Sequence, residues 1–131
     1  MLDSFGFISE GSGMNLFAVR DGVLHTSPLS AGILQCTTRD SVKRMAQDLG
    51  LEAREEVLPR EFLYTADELF FCGTAVEVTP IRSVDRIAVG DGKPGPITLR
   101  IQREYLGIVR GKIPDRHHWL THVPEPAVAG R

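Results

Sequence analysis

At 131 residues, 42% of them hydrophobic and 24% charged, the chain is long and apolar enough to fold as one domain around its own core, without disulfides or metal. Its net charge is −2, and 15 basic residues are scattered among 17 acidic ones without a basic stripe, which argues against nucleic acid and membrane surfaces as partners. The two cysteines, Cys36 and Cys72, are too few for a secreted disulfide framework and match neither a CxxC motif nor a zinc spacing, so both read as reduced and packed. The chain shows no signal-peptide pattern and no apolar run of membrane-spanning length, so the expected location is the cytoplasm.

In chain order, residues 5–9 read as a short strand ending in the glycine loop Glu10-Gly11-Ser12-Gly13. Residues 15–20 and 23–26 form a predicted hairpin, because Asp21-Gly22 between them is a strong two-residue turn signal. Val42, Met45, Ala46 and Leu49 recur at helical spacing, which predicts a helix over 38–49 with Thr37 or Thr38 as N-cap and Gly50 as C-cap. Residues 51–58 suggest a strand with one solvated face, and Pro59 opens a short helical turn through Tyr64. Strands are expected at 68–72, 76–81 and 84–89, the first two separated by Gly73-Thr74-Ala75. After the turn-rich loop 90–96, Pro96 starts a second long helix whose apolar stripe is Ile97, Ile101, Tyr105, Ile108 and Val109. From Gly111 the chain reads as a loose tail, and the order of elements suits an α+β domain.

Two threonine-bearing turns could each hold a phosphate. Thr37-Thr38 sits where the first long helix begins, so unpaired N–H groups and hydroxyls point one way. Gly73-Thr74-Ala75 combines a permissive backbone with a hydroxyl. Each also has a plain structural reading, as an N-cap and as a bulge glycine. Glu10, a carboxylate between an apolar strand and a Gly-Ser-Gly loop, could accept a hydrogen bond from a protonated ring nitrogen, or could simply be a solvated loop acid. His117, His118 and His122 cluster near Trp119 without further ligands, which favours a tail with chance histidines over a metal site. His25 is expected on a strand, facing a partner or solvent.

Ile8-Ser9-Glu10-Gly11-Ser12-Gly13, followed by Asn15-Leu16-Phe17, resembles the Glu-Gly-small-Gly-x-Asn segment of fold type IV pyridoxal-phosphate aminotransferases. Thr38-Arg39-Asp40 resembles the family's second signature, at the start of its phosphate-holding helix. The stretch from Gly73 to Ile81 is similar to the Gly-Thr-Ala-Ala-Glu-x-Thr-Pro signature of the branched-chain subgroup, and Gly95-Pro96, Tyr105 and Gly111 extend the likeness to about Val123.

The resemblance implies a fold type IV cofactor-binding domain over 1–123, a curved mixed sheet forming a pseudo-barrel with two main flanking helices, and a flexible tail at 124–131. It implies pyridoxal 5'-phosphate as cofactor, with Glu10 on the pyridinium nitrogen and Thr37, Thr38 and Thr74 on the phosphate. The backbone of Thr74 and Ala75 would face the substrate carboxylate. The implied reaction moves an amino group from leucine, isoleucine or valine to 2-oxoglutarate.

Departures from the family pattern also count. The chain's three lysines, Lys43, Lys93 and Lys112, do not match the family's Schiff-base lysine, which would lie before Met1, and the small N-terminal domain has no counterpart. Met14 stands where branched-chain enzymes carry an acid, and Gln35-Cys36-Thr37 replaces Pro-Gly-Ile. The expectation is therefore a partial aminotransferase with no catalytic lysine of its own, inactive alone. It would need a complementing N-terminal segment, or self-association as a homo-oligomer, because sheet edges and apolar faces would be uncovered. The alternatives are a non-catalytic phosphate-binding or partner-packing module, and a relative of D-amino acid aminotransferases or aminodeoxychorismate lyases.

Overall fold

A near-continuous apolar run at residues 15–20 calls for a strand buried on both faces. The computed structural model, which describes residues 1–124, puts that run at the centre of a sheet. β1 (Asn15–Arg20) turns through Asp21 and Gly22 into β2 (Val23–Thr26), and their φ values of 51° and 79° are the left-handed pair such a turn needs. β3 (Ala53–Glu55) pairs in parallel with β2 after a crossover through α1 (Thr37–Asp48). On the other side of β1 lies β4 (Glu68–Gly73), antiparallel, and then β5 (Glu77–Pro80). The order β3-β2-β1-β4-β5 is thus a mixed sheet. Between β3 and β4 comes the single-turn α2 (Phe62–Thr65); after β5 come a ribbon of β6 (Ser83–Val84) and β7 (Ile87–Ala88), then α3 (Pro96–Val109).

Both long helices pack on one face of the sheet. Phe17, Val19, Leu24, Phe70, Cys72 and Val78 from the strands meet Val42, Met45 and Ala46 of α1 and Ile101 and Ile108 of α3. Phe17 and Phe70 are register partners on β1 and β4, and their rings stack at 5.2 Å. Truncating either would cost about 3–5 kcal/mol. The opposite face carries Ile8, Leu16, Ala18 and Leu69, covered in part by Leu58, Phe62, Leu63 and Val89.

The helices stop where their sequences say. Gly50, at φ 71°, lets Leu51 N–H reach the Ala46 carbonyl at 2.8 Å, and Gly111, at φ 66°, does the same for Lys112 and Gly107 at 2.8 Å. α3 starts on Pro96, and its first turn is capped from a distance: Glu68 of β4 accepts from Ile97 N–H at 3.0 Å and Thr98 N–H at 2.6 Å.

Several expectations change. Residues 5–9 make only the bridges Leu2 to Ile8 and Phe7 to Pro59, because Asp3 ties down the turn by accepting from the N–H groups of Phe5 and Phe7. The strand expected over 51–58 shrinks to 53–55, where it meets β2, and the strand at 84–89 is instead a ribbon reversed at Asp85 and Arg86. Cys36, not a threonine, is the N-cap of α1, and no side chain caps it. Val109 lies 42% exposed rather than in the stripe. His25 is buried, paired with Glu56 and edge-on to Phe62 at 5.0 Å, not turned to solvent.

The loose tail also tightens. Ile113 and Trp119 pack on the main core, and His117 pairs with Asp48 at 2.8 Å while stacking on Trp119. Most of the segment expected as a tail at 124–131 lies outside the described residues.

Candidate functional site

Glu10 is positioned by a clamp that joins two distant stretches of chain. Asn15, 2% exposed at the start of β1, donates through Nδ2 to Glu10 Oε2 at 2.9 Å and to the Leu34 carbonyl at 3.1 Å. Leu34 N–H in turn donates to the same Oε2 at 3.0 Å. Both backbone groups of Leu34 are therefore held, which fixes the path of residues 34–36 into α1. Glu10 Oε1 accepts no hydrogen bond from the described residues, so it remains available to a ligand. Asn15 Oδ1 is buried without a partner among them.

The glycine loop beneath is shaped for closeness. Gly11 N–H bonds the Met14 carbonyl at 2.8 Å, and a Cβ on Gly11 would lie 2.6 Å from Met14 Cγ and 2.8 Å from the Phe71 ring. Gly13 adopts φ 75°. Gly73, at the end of β4, rests on this loop: the site of its missing Cβ is 3.4 Å from the Gly13 carbonyl. The turn carrying Thr74 and Ala75, both exposed, thereby starts beside residues 11–14.

α1 opens from the third side. Its first intrahelical bond runs from Asp40 N–H to the Cys36 carbonyl at 3.1 Å, so the N–H groups of Thr37, Thr38 and Arg39 have no helical acceptor. The positive end of the helix dipole favours an anion there. Thr37 is exposed and Thr38 is 5% exposed. Arg39 is buried but committed, with Nη2 donating to the Ser27 carbonyl at 2.8 Å and pairing with Glu55 at 2.9 Å.

No one cavity joins all the expected residues. A pocket of about 40 Å³ is lined by Glu10, Gly13, Met14, Asn15, Leu34 and Cys36. Glu10 also borders an apolar hollow of about 220 Å³ formed by Leu16, Leu63, Leu69, Phe71 and Ile81, among others. Thr37 and Thr38 line a different cavity, of about 360 Å³, with Ser41, Tyr105 and Trp119. Thr74 and Ala75 border none of these.

Asn15 and Leu34 are site residues that the sequence alone did not single out. Asn15 was legible only as part of the loop motif, and Leu34 carries no polar side chain to draw attention. Cys72 is no nucleophile: burial, abetted by Cys36 and opposed by Arg39, pushes its thiol up to about 12. Among the described residues no helix is long and apolar enough to cross a membrane, and no group of three or more His, Cys, Asp or Glu is arranged to hold a metal.

Known proteins resemble this chain over most of its length. The branched-chain-amino-acid aminotransferase of Escherichia coli strain K12 is 52% identical over 122 residues, which are 93% of this chain and 40% of that protein. The corresponding enzyme of Pseudomonas aeruginosa is 42% identical over 123 residues, 94% of this chain and 40% of its own length. A crystal structure of the Escherichia coli enzyme superposes with a TM-score of 0.90 at 52% identity, over 92% of this chain and 40% of that one. The branched-chain amino acid aminotransferase of Thermobaculum terrenum, in its PLP-form, gives 0.84 at 44% identity, over 86% and 37%. The chain spans about 40% of the length of the curated relatives it matches. Since the family profile described as "Amino-transferase class IV" matches residues 1–84, with Glu10, the Thr37-Thr38 helix start and the Gly73-Thr74-Ala75 turn all inside the match, the chain belongs to the class IV aminotransferase family.

Proposed function

We propose that residues 1–123 are the cofactor-holding domain of a branched-chain amino acid aminotransferase, with pyridoxal 5'-phosphate as cofactor and leucine, isoleucine or valine and 2-oxoglutarate as substrates. One observation carries the reading: Glu10, oriented through Oε2 by two donors, keeps its second oxygen uncommitted in a pocket it shares with Gly13 and Met14 of the glycine loop and with Cys36, the residue before α1. A carboxylate to accept from the ring N–H, with hydroxyls and free N–H groups to donate to the phosphate, is the set that a phosphorylated, protonated pyridine requires.

Each residue then has a task. Glu10 Oε1 accepts from the ring N–H and keeps that proton in place. Leu34, with its backbone clamped and its side chain 71% exposed beside Glu10, offers an apolar surface to a flat ring. Thr38 and the backbone of Thr37 take the phosphate, with the Thr74 hydroxyl as a further donor. The N–H groups of Thr74 and Ala75 face the substrate carboxylate. The bound cofactor supplies the sink for the electron pair released when the substrate's α-proton leaves.

No lysine of this chain serves as the base for that proton. Lys43 is spent on Glu55, Lys93 lies in the loop before α3 and Lys112 follows α3, and none lines the Glu10 pocket. The chain by itself therefore holds the cofactor without turning over, which is how a non-catalytic binding module of this fold would also behave. Turnover requires further polypeptide carrying the lysine, as a complementing N-terminal segment or within a homo-oligomer; the apolar hollow beside Glu10 and the exposed Met1, Leu2 and Phe5 are surfaces such a segment would cover. Cytoplasmic location fits this reaction. The segment from Gly73 to Ile81 favours the branched-chain subgroup over D-amino acid aminotransferases and aminodeoxychorismate lyases.

The test is titration of the chain with pyridoxamine phosphate, followed by absorbance. Saturable binding that weakens about tenfold in Glu10→Gln supports the reading. Equal affinity in the two proteins, or none in either, overturns it. Adding a separately produced lysine-bearing segment of a relative then decides between a complementable enzyme, which gains leucine-dependent turnover, and a pure binding module, which does not.

A further inference from the structure

Cys36 is held from both sides. Two residues before it, the N–H and the carbonyl of Leu34 are bonded to Glu10 and Asn15. Its own carbonyl accepts from Asp40 N–H at 3.1 Å and so opens α1. Its backbone is extended, with φ −100° and ψ 137°. Side chains two apart on an extended chain share one side. Accordingly Leu34 and Cys36 both line the pocket of about 40 Å³ at Glu10, and Gln35 between them does not.

Cys36 also lines a cavity of about 390 Å³ with Gln35, Thr37, Asp40, Ser41 and Trp119. It is the one residue that this cavity shares with the Glu10 pocket, so its side chain stands between the acid and the exposed Thr37 at the helix start. The smaller pocket carries its own sign of a ligand. Asn15 lines it, is only 2% exposed, and keeps a buried Oδ1 with no partner among the described residues. A buried acceptor left without a donor is costly until one arrives.

We infer, building on the cofactor reading above, that Cys36 is a further cofactor-contacting residue, its side chain lying against the bound cofactor between the end held by Glu10 and the end held by Thr37. A half-buried sulfur suits that position, because it is small, polarizable and packs well on an aromatic ring. Cys72, the other cysteine, is 0% exposed on β4 and serves as an internal control.

The test is alkylation of the full chain by iodoacetamide, mapped by mass spectrometry, with and without pyridoxamine phosphate, which has no aldehyde to react with a thiol. Affinity for pyridoxamine phosphate is followed in parallel by absorbance. Without it, Cys36 is expected to react, and Cys72 only in urea. Saturating pyridoxamine phosphate should slow labelling of Cys36 about tenfold, and chain already alkylated there should bind it about tenfold more weakly. Saturable binding with an unchanged labelling rate, or equal affinity after alkylation, overturns the role of Cys36 and leaves the cofactor reading standing. Absence of binding removes both. Equal protection by inorganic phosphate alone would put Cys36 at the phosphate end only, and a Cys36 as unreactive as Cys72 would take its thiol out of the pocket; either result overturns the assignment. Circular dichroism checks the alkylated chain, and should it unfold, protection of the unaltered chain decides.

Discussion

Asn15 holds Glu10: its Nδ2 lies 2.9 Å from Glu10 Oε2 and also reaches the Leu34 carbonyl, so one buried amide fixes the acid and the approach to α1 together. In Asn15→Ala both acceptors lose that donor, and the Leu34 stretch is freed from β1. A loss of about 1–3 kcal/mol is expected, with pyridoxamine phosphate affinity falling alongside. Urea unfolding and a binding titration measure the two effects. Lost stability with intact affinity would show that the clamp serves the fold and not the site.

Glu68 joins β4 to α3 by accepting from Ile97 and Thr98 N–H groups, and it is only 7% exposed. Glu68→Ala strips the first turn of α3 of its acceptor and opens a gap beside Gly95, where Glu68 occupies the space of a missing Cβ. About 2 kcal/mol of stability should be lost. Glu68→Gln keeps one acceptor oxygen and should lose less. Equal urea midpoints for the two variants would contradict the capping role.

Glu55 gives the chain an acid-sensitive joint between α1 and β3. Lys43 first, then Arg39, hold its carboxyl below the usual carboxylate range against the opposing effect of burial. A folded-state pKa below the unfolded one means that the contribution is complete above the unfolded value and is lost as pH falls through the folded value. Thermal melts between about pH 6 and pH 3 should therefore decline less steeply in Glu55→Gln than in the unaltered chain. Parallel curves would remove Glu55 from the account of acid stability.

Local chemistry made part of this molecule readable in advance. Asp21-Gly22 specifies the β1–β2 hairpin, Gly50 and Gly111 stop the helices, and Pro96 starts α3, each acting within a few residues. The Glu10 clamp was not readable, because its geometry appears only when residue 34 returns beside residue 15. The same holds for the Glu68 cap, whose partners lie 29 and 30 residues away. His25 reads as a surface strand residue until Glu56 arrives beside it on the chain following β3, giving the buried ring an acidic partner. Of the expected phosphate donors, sequence put the helix start within one residue of its place but could not show that Thr38 is buried while Thr37 is exposed.

Residues 114–120 read as loose because they lack periodicity, yet they form a strap tied at several points. Asp115 accepts from Leu120 N–H at 2.7 Å, and the N–H groups of Leu120, Trp119 and His117 keep its carboxyl below the usual range. Arg116 pairs with Glu104, and His117 bridges to Asp48 of α1 while stacking on Trp119 at 4.5 Å. Trp119 is the chain's one tryptophan, and it borders the cavity shared by Thr37 and Thr38, so its emission reports on the strap. His117→Ala removes both the stack and the tie to α1. Because the pair is partly exposed, global stability should fall by no more than about 1 kcal/mol, while Trp119 emission moves to longer wavelength as water reaches the ring. A large drop in the urea midpoint with emission unchanged before unfolding would mean that the strap belongs to the cooperative core and does not loosen on its own.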